Sequence, residues 1–132
     1  MKKLLEIFCG TKSVGKVFEK NDWEVISIDI EEKWKPTICS DILDWDYKTF
    51  DKNYFNHIHF SPPCIYMSQI QQSWYGRYKG KGENKYLFTK DIHIQQLEES
   101  DKILYKIKEI IEYFNNITFT IENPYHTKFN NI

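Results

Sequence analysis

Five residues, Gly10, Asp29, Asp41, Cys64 and Glu122, each close a short apolar run, and this recurrence constrains the fold more than any other feature of the chain. Strands buried in a parallel sheet read as short, near-continuous apolar runs, with helices between them. Residues 3–9 form the first such run, closed by Gly10. The segment SVGKVFEK then opens a helix that Ser13 would cap and Asn21 would close in a left-handed conformation. Residues 23–30, WEVISIDI, are β-branched and apolar and end on an acid, which completes a strand–helix–strand unit.

A short third strand is expected over residues 37–40, with Asp41 at its end. Residues 55–60, FNHIHF, alternate polar and apolar and stop at Ser61-Pro62-Pro63, because prolines donate no ladder hydrogen bonds. Cys64 therefore lies just past a strand's carboxyl end. Residues 68–96, roughly, show neither helical nor strand period and carry Gly76, Gly80 and Gly82 among lysines and tyrosines, which reads as a long loop. From Leu97, the positions Leu104, Ile107, Ile110 and Phe114 follow one helical face, with Glu98, Glu99 and Asp101 at its positive end. Asn115-Asn116 breaks that pattern, and residues 117–121, ITFTI, give a further strand ending at Glu122. Strands alternating with helices predict an α/β fold with a doubly wound, mostly parallel sheet, whose ligands gather at the strands' carboxyl ends.

A chain of 132 residues is expected to form a single domain over residues 1–132. Its 18 Lys and Arg against 19 Asp and Glu leave a net charge of −1, so any contact with nucleic acid must come from a local patch rather than the global field. Cys9, Cys39 and Cys64 are odd in number and widely spaced, which argues against a disulfide framework and against a zinc site. A reducing, cytoplasmic setting fits, and no run approaches the ~20 apolar residues that spanning a membrane requires.

Gly10 alone serves a turn as readily as a ligand. With Asp29 at the next strand's end the pair becomes more specific, since an acid there can accept hydrogen bonds from both hydroxyls of a ribose. Asp29 as a cap or a solvated loop acid is the plain alternative, and Asp41 is open to the same reading. If both acids face one pocket, Asp41 could accept from an adenine amino group. Neither a GKS or GKT at phosphate-loop spacing nor a GxGxxG is present, which disfavours a phosphate-rich ligand. A free cysteine is ordinarily a buried structural thiol. Cys64, however, is held behind two prolines at a strand end, where turn amides can lower a thiol toward thiolate. Glu122, at another strand end, can hold or deliver a proton while that thiolate attacks.

These residues resemble a known family. EIFCGTKSVG from Glu6, SIDI from Ser27, SDI from Ser40, SPPC from Ser61 with Ser68 four residues beyond, and IENP from Ile121 are similar, in order and spacing, to the motifs of DNA (cytosine-5-)-methyltransferases, especially compact forms of phages and large viruses. The resemblance implies a Rossmann-like methyltransferase fold of about five strands. It also implies an S-adenosyl-L-methionine site lined by Phe8, Gly10, Thr11, Ser13, Asp29, Ile30, Asp41, Ile42 and Pro63. Cys64 would attack C6 of a flipped cytosine, and Glu122 would engage N3 and the amino group. Ser68, Arg77, Lys79, Lys81 and Asn123 would meet substrate DNA. Lys12 stands where many relatives have glycine.

The resemblance covers the family's N-terminal portion. The expectation is therefore a DNA (cytosine-5-)-methyltransferase or the catalytic half of one, as part of a larger enzyme or as one subunit of a split or self-associating enzyme, or else a non-catalytic methyltransferase-like protein that binds or assembles.

Overall fold

The computed structural model describes residues 1–62 and 75–122. They fall into two compact units: Met1–Pro62 with Tyr105–Glu122, and a second described here over residues 75–104. The first holds strands β1 (Lys3–Ile7), β2 (Glu24–Asp29), β3 (Ile38–Cys39), β4 (His57–Phe60) and β7 (Thr118–Ile121), with helix α1 (Ser13–Lys20). All five strands are parallel, in the order β3-β2-β1-β4-β7. The α/β class and five-stranded parallel sheet agree with the pattern of apolar runs. The order reverses beside β1, so β1 and β4 flank the switch point where open α/β sheets bind their ligands.

Register assigns each side chain to a face. Leu5, Ile7, Ile28, Ile58 and Phe60 lie on one side, and all five are essentially inaccessible to solvent. Each such burial stabilises by about 1.5–3 kcal/mol. Ile107, Ile110 and Phe114, in and just after the last turns of helix α2 (Lys90–Tyr113), join this buried set. Phe114 meets Phe55 edge-on at 5.5 Å between ring centres, and the Tyr113 hydroxyl donates to the Phe50 carbonyl oxygen at 2.7 Å. Aromatic rings thus pin the connection between β3 and β4.

Helix α1 covers the other side, where Phe18 stacks on His57 at 6.0 Å. Its N-terminus is held in an unexpected way. Ser13 is the first helical residue, not the cap; Lys12 takes the cap position at φ 63° and its side chain makes no capping bond. The acceptor comes from β1 instead, where Glu6, 2% exposed, takes the Gly15 N–H on Oε2 at 2.9 Å. A carboxylate at a helix N-terminus also opposes the positive end of the helix dipole. At the other end Asn21, at φ −102°, is not left-handed; Asp22 is, at φ 65°, while the Asn21 amide donates to the Val17 carbonyl.

The second unit replaces much of the expected loop with regular structure. Strands β5 (Arg77–Lys79) and β6 (Tyr86–Phe88) form an antiparallel hairpin. Its turn passes Gly80 at φ 87°, where a Cβ would stand 2.5 Å from the Asn84 carbonyl oxygen. Phe88 is fully buried against Tyr75 and His93, and the Tyr75 hydroxyl shares a 2.7 Å hydrogen bond with His93 Nδ1. Helix α2 starts about two turns before Leu97 because Thr89 Oγ1 accepts the Ile92 N–H at 3.3 Å.

Gly15 tests the α1 anchor. A Cβ there would lie 2.5 Å from Glu6 Oε1 and 3.1 Å from Val25 Cγ1. Gly15→Ala is expected to destabilise the protein by about 1–3 kcal/mol, read from urea unfolding midpoints, despite alanine's better helix propensity.

Candidate functional site

The chain leaves β1 through a tightly wound turn in which Phe8, Gly10 and Lys12 all have positive φ, at 60°, 47° and 63°. For Phe8 and Lys12 this is the left-handed region that favours glycine. Lys12 thus keeps a glycine-like backbone, and its ammonium is tied to the Lys35 carbonyl oxygen. The turn is fastened to the end of β2, where Asp29 Oδ2 accepts the Gly10 N–H and Oδ1 accepts the Glu31 N–H, both at 2.9 Å. Asp29 therefore does serve as a loop acceptor. Each carboxylate oxygen still has capacity for one more donor.

Other expected ligand residues cluster around it. Thr11 and Ser13 are exposed at the start of α1, and Ile30 shows 63% of its surface beside Asp29. Asp41 follows β3 and uses Oδ1 to accept the Leu43 N–H at 3.0 Å. Ile42, 4% exposed, belongs to the core and supports that strand end from within. Beside the turn, Thr11, Lys12, Lys16, Lys33, Trp34 and Lys35 line an open basic hollow of about 320 Å³.

Cys9, within the turn, is not a nucleophile. Burial, then the carboxylates of Asp29 and Glu6, push its thiol up to about 11, which leaves almost no thiolate near neutrality. Cys64, Pro63, Ser68 and Asn123 lie outside the described residues, so the expected thiol site is seen only through its neighbours.

At the carboxyl ends of β4 and β7 the ladder runs on: the Ser61 N–H donates to the Ile7 carbonyl at 3.1 Å and the Glu122 N–H to the Phe60 carbonyl at 2.8 Å. The Ser61 hydroxyl donates to Glu122 Oε2 at 3.2 Å, and His59 Nε2 sits 2.9 Å from Ser61 Oγ. Behind them the hydrogen bonds continue along the same face, from His59 Nδ1 to Thr120 Oγ1 at 2.6 Å, His57 Nε2 to Thr120 Oγ1 at 3.1 Å, and His57 Nδ1 to Thr118 Oγ1 at 2.6 Å. Burial lowers the pKa of both imidazoles from 6.5; for His59 the Glu122 carboxylate opposes that shift. Of this set the sequence named Ser61 alone, as the first residue of SPPC; it singled out neither the histidines nor the threonines. The signal was the shared alternation of FNHIHF and ITFTI, which becomes a contact only once register pairs His57 with Thr118 and His59 with Thr120.

In the second unit Arg77 and Lys81 are exposed, whereas Lys79 is half-buried with its ammonium 3.7 Å from the centre of the Phe88 ring, and burial lowers its pKa. No helix among the described residues is long and apolar enough to cross a membrane.

No protein-family model matches the chain. Over 124 residues it is 31% identical to a protein of Frog virus 3 (isolate Goorha) named "Probable DNA (cytosine-5)-methyltransferase", an alignment that covers 92% of this chain. The chain spans 53% of that relative's length. The resemblance carried by the five motifs is thus borne out across the chain.

Two outcomes follow. In the native protein at pH 8, Cys39, which is exposed, should react with a maleimide while Cys9 stays unmodified, as read by peptide mass. Below about pH 6.5 the unfolded chain takes up protons at His57 and His59 that the folded chain resists, so stability should fall on acidification through that range. A His57→Asn, His59→Asn double variant should lose less stability between pH 7 and 5 than the parent, read from paired melts.

Proposed function

We propose that this chain is the cofactor- and base-binding part of a DNA (cytosine-5)-methyltransferase, which moves a methyl group from S-adenosyl-L-methionine to C5 of a cytosine turned out of its helix. The observation that carries this reading is the 3.2 Å contact between Ser61, first residue of SPPC, and Glu122, first residue after β7. Two prolines separate Ser61 from Cys64, and the three Cα steps give a covalent reach of about 10 Å. The similarity to the viral protein supports the same assignment.

The residues present fit the cofactor. Asp29, fixed to the Gly10 turn, keeps a free acceptor on each oxygen for the ribose hydroxyls, and exposed Ile30 offers an apolar surface for a base. Phe8, Thr11 and Ser13 border the turn, Asp41 would take the adenine amino group, Pro63 would complete the wall, and Ile42 would back it from the core. When bound, the cofactor supplies an electrophilic sulfonium methyl.

The chain's own groups do the rest. The Cys64 thiolate adds to C6 while Glu122 holds a proton at N3, so electron density moves to C5. After C5 is methylated, its proton leaves to water, the bond to Cys64 breaks to return the thiolate, and N3 gives its proton back to Glu122, restoring the aromatic ring. Because C6 is shielded in stacked DNA, the base must be extruded, which leaves Glu122 to read its Watson–Crick edge. Arg77, Lys79 and Lys81, with Ser68 and Asn123, would hold the phosphates and the vacated position.

Labelled methyl transfer to DNA and covalent trapping on 5-fluorocytosine DNA test this directly. Cys64→Ser should abolish trapping, and Glu122→Gln should lower turnover about 100-fold or more. Asp29→Ala should weaken cofactor binding measured by calorimetry. A parent protein that binds the cofactor yet neither transfers methyl nor traps would overturn the enzymatic reading in favour of a non-catalytic binding protein.

A further inference from the structure

Side chains on one face of β4 and β7 form an unbroken line: Thr118, His57, Thr120, His59, Ser61 and Glu122, with successive contacts of 2.6, 3.1, 2.6, 2.9 and 3.2 Å. Its chemistry has a direction. An ionised carboxylate only accepts, so Ser61 must spend its single hydroxyl proton on Glu122 Oε2. Ser61 Oγ is then free only to accept, which requires the proton of His59 on Nε2. A neutral imidazole with Nε2–H presents Nδ1 as an acceptor, so Thr120 donates to it. Thr120 in turn accepts from His57 Nε2–H, and His57 Nδ1 accepts from Thr118. One terminal carboxylate thereby fixes the tautomers of two histidines and the hydroxyl rotors of three residues, the Thr118 proton going to His57 Nδ1 at 2.6 Å rather than to the Asn56 carbonyl oxygen at 3.5 Å.

We infer that this line is a one-way hydrogen-bond wire that orients the Glu122 carboxylate for the cytosine edge, with His59 and Ser61 as its positioning residues. The inference rests on the assignment of Glu122 as the base-binding group. Three observations support it. Glu122 is itself largely exposed, with 71% of its side chain accessible, so it lacks packing to hold one rotamer. His59, only 8% exposed, is fixed between Thr120 and Ser61, and its Nε2 lies 3.7 Å from the same carboxylate oxygen. Parallel pairing sets every member's backbone, with His57 opposite Thr118 and His59 opposite Thr120. Among the described residues the other titratable groups near His59 are His57, which precedes it on β4, and Glu6, which stands level with it on β1, bonded to the Gly15 N–H. Thr118 and Thr120 are both exposed on β7, so the wire starts at solvent and ends on the reacting carboxylate.

Long-range nitrogen–proton correlation NMR of the histidine rings reads the wire in the whole chain without any methyl transfer. At pH 7.5, both His57 and His59 should carry the proton on Nε2. Glu122→Ala should lower the titration midpoint of His59 by about half a unit or more, since the carboxylate favours the imidazolium. Ser61→Ala should mix the His59 tautomers, and Ser61→Thr, which keeps the hydroxyl, should restore Nε2–H. In methyl transfer, Ser61→Ala should reduce kcat about tenfold with KM for the methyl donor unchanged, and Ser61→Thr should recover most of it. Nδ1–H tautomers in the parent protein, or a His59 midpoint indifferent to Glu122→Ala, would overturn the wire. Loss of the enzymatic reading is separate, because the tautomers are measured whether or not the protein transfers methyl.

Discussion

A carboxylate inside the sheet, Glu6 of β1, holds the N-terminus of α1 through the Gly15 N–H, and the binding end of the fold depends on that bond. The turn from Phe8 to Lys12 is the short segment between these two anchored points. Its three left-handed residues are tolerable because both ends are fixed. The cost is a buried acid: Oε1 of Glu6 has no hydrogen-bond partner among the described residues, and burial raises its pKa. Gly15 is required for the same reason, since any side chain would displace the carboxylate that caps its own helix.

The same logic of strand ends organises the rest of the site. Asp29 ties β2 to the turn, and Ser61 and Glu122 tie the end of β4 to that of β7. Each tie is a side chain bonded to an adjacent strand end, so the groups are placed by the sheet rather than by long loops. Parallel pairing gives all of these residues one common edge, which is why chemistry carried by separate segments of sequence can meet.

Much of this was legible beforehand. Apolar runs with glycine or acid at their ends gave the strands, and the observed strands are one or two residues shorter than the runs because the terminal residues leave the ladder for the turns. What failed was local. Ser13 looked like a cap because serine prefers that position, but a distant glutamate does the capping, and no local pattern announces an acceptor nine residues upstream. The segment before Leu97 looked irregular because its glycines make a hairpin turn and its helical start depends on Thr89, whose capping bond has no periodic signature. The wire on β4 and β7 was hidden for a different reason: each half is an ordinary alternating strand, and only register brings the halves together.

That register has a kinetic consequence. Lys3 pairs with Glu24 across a single helix, whereas His57 meets Thr118 across 61 residues. Closing the longer loop costs more chain entropy before any contact repays it. The glycine turn and Asp29 can therefore assemble early, with the β1–α1–β2 unit. Glu122 takes its place only when β7 docks, so a protein stalled late in folding would hold its Gly10–Asp29 turn formed and its Glu122 carboxylate still adrift.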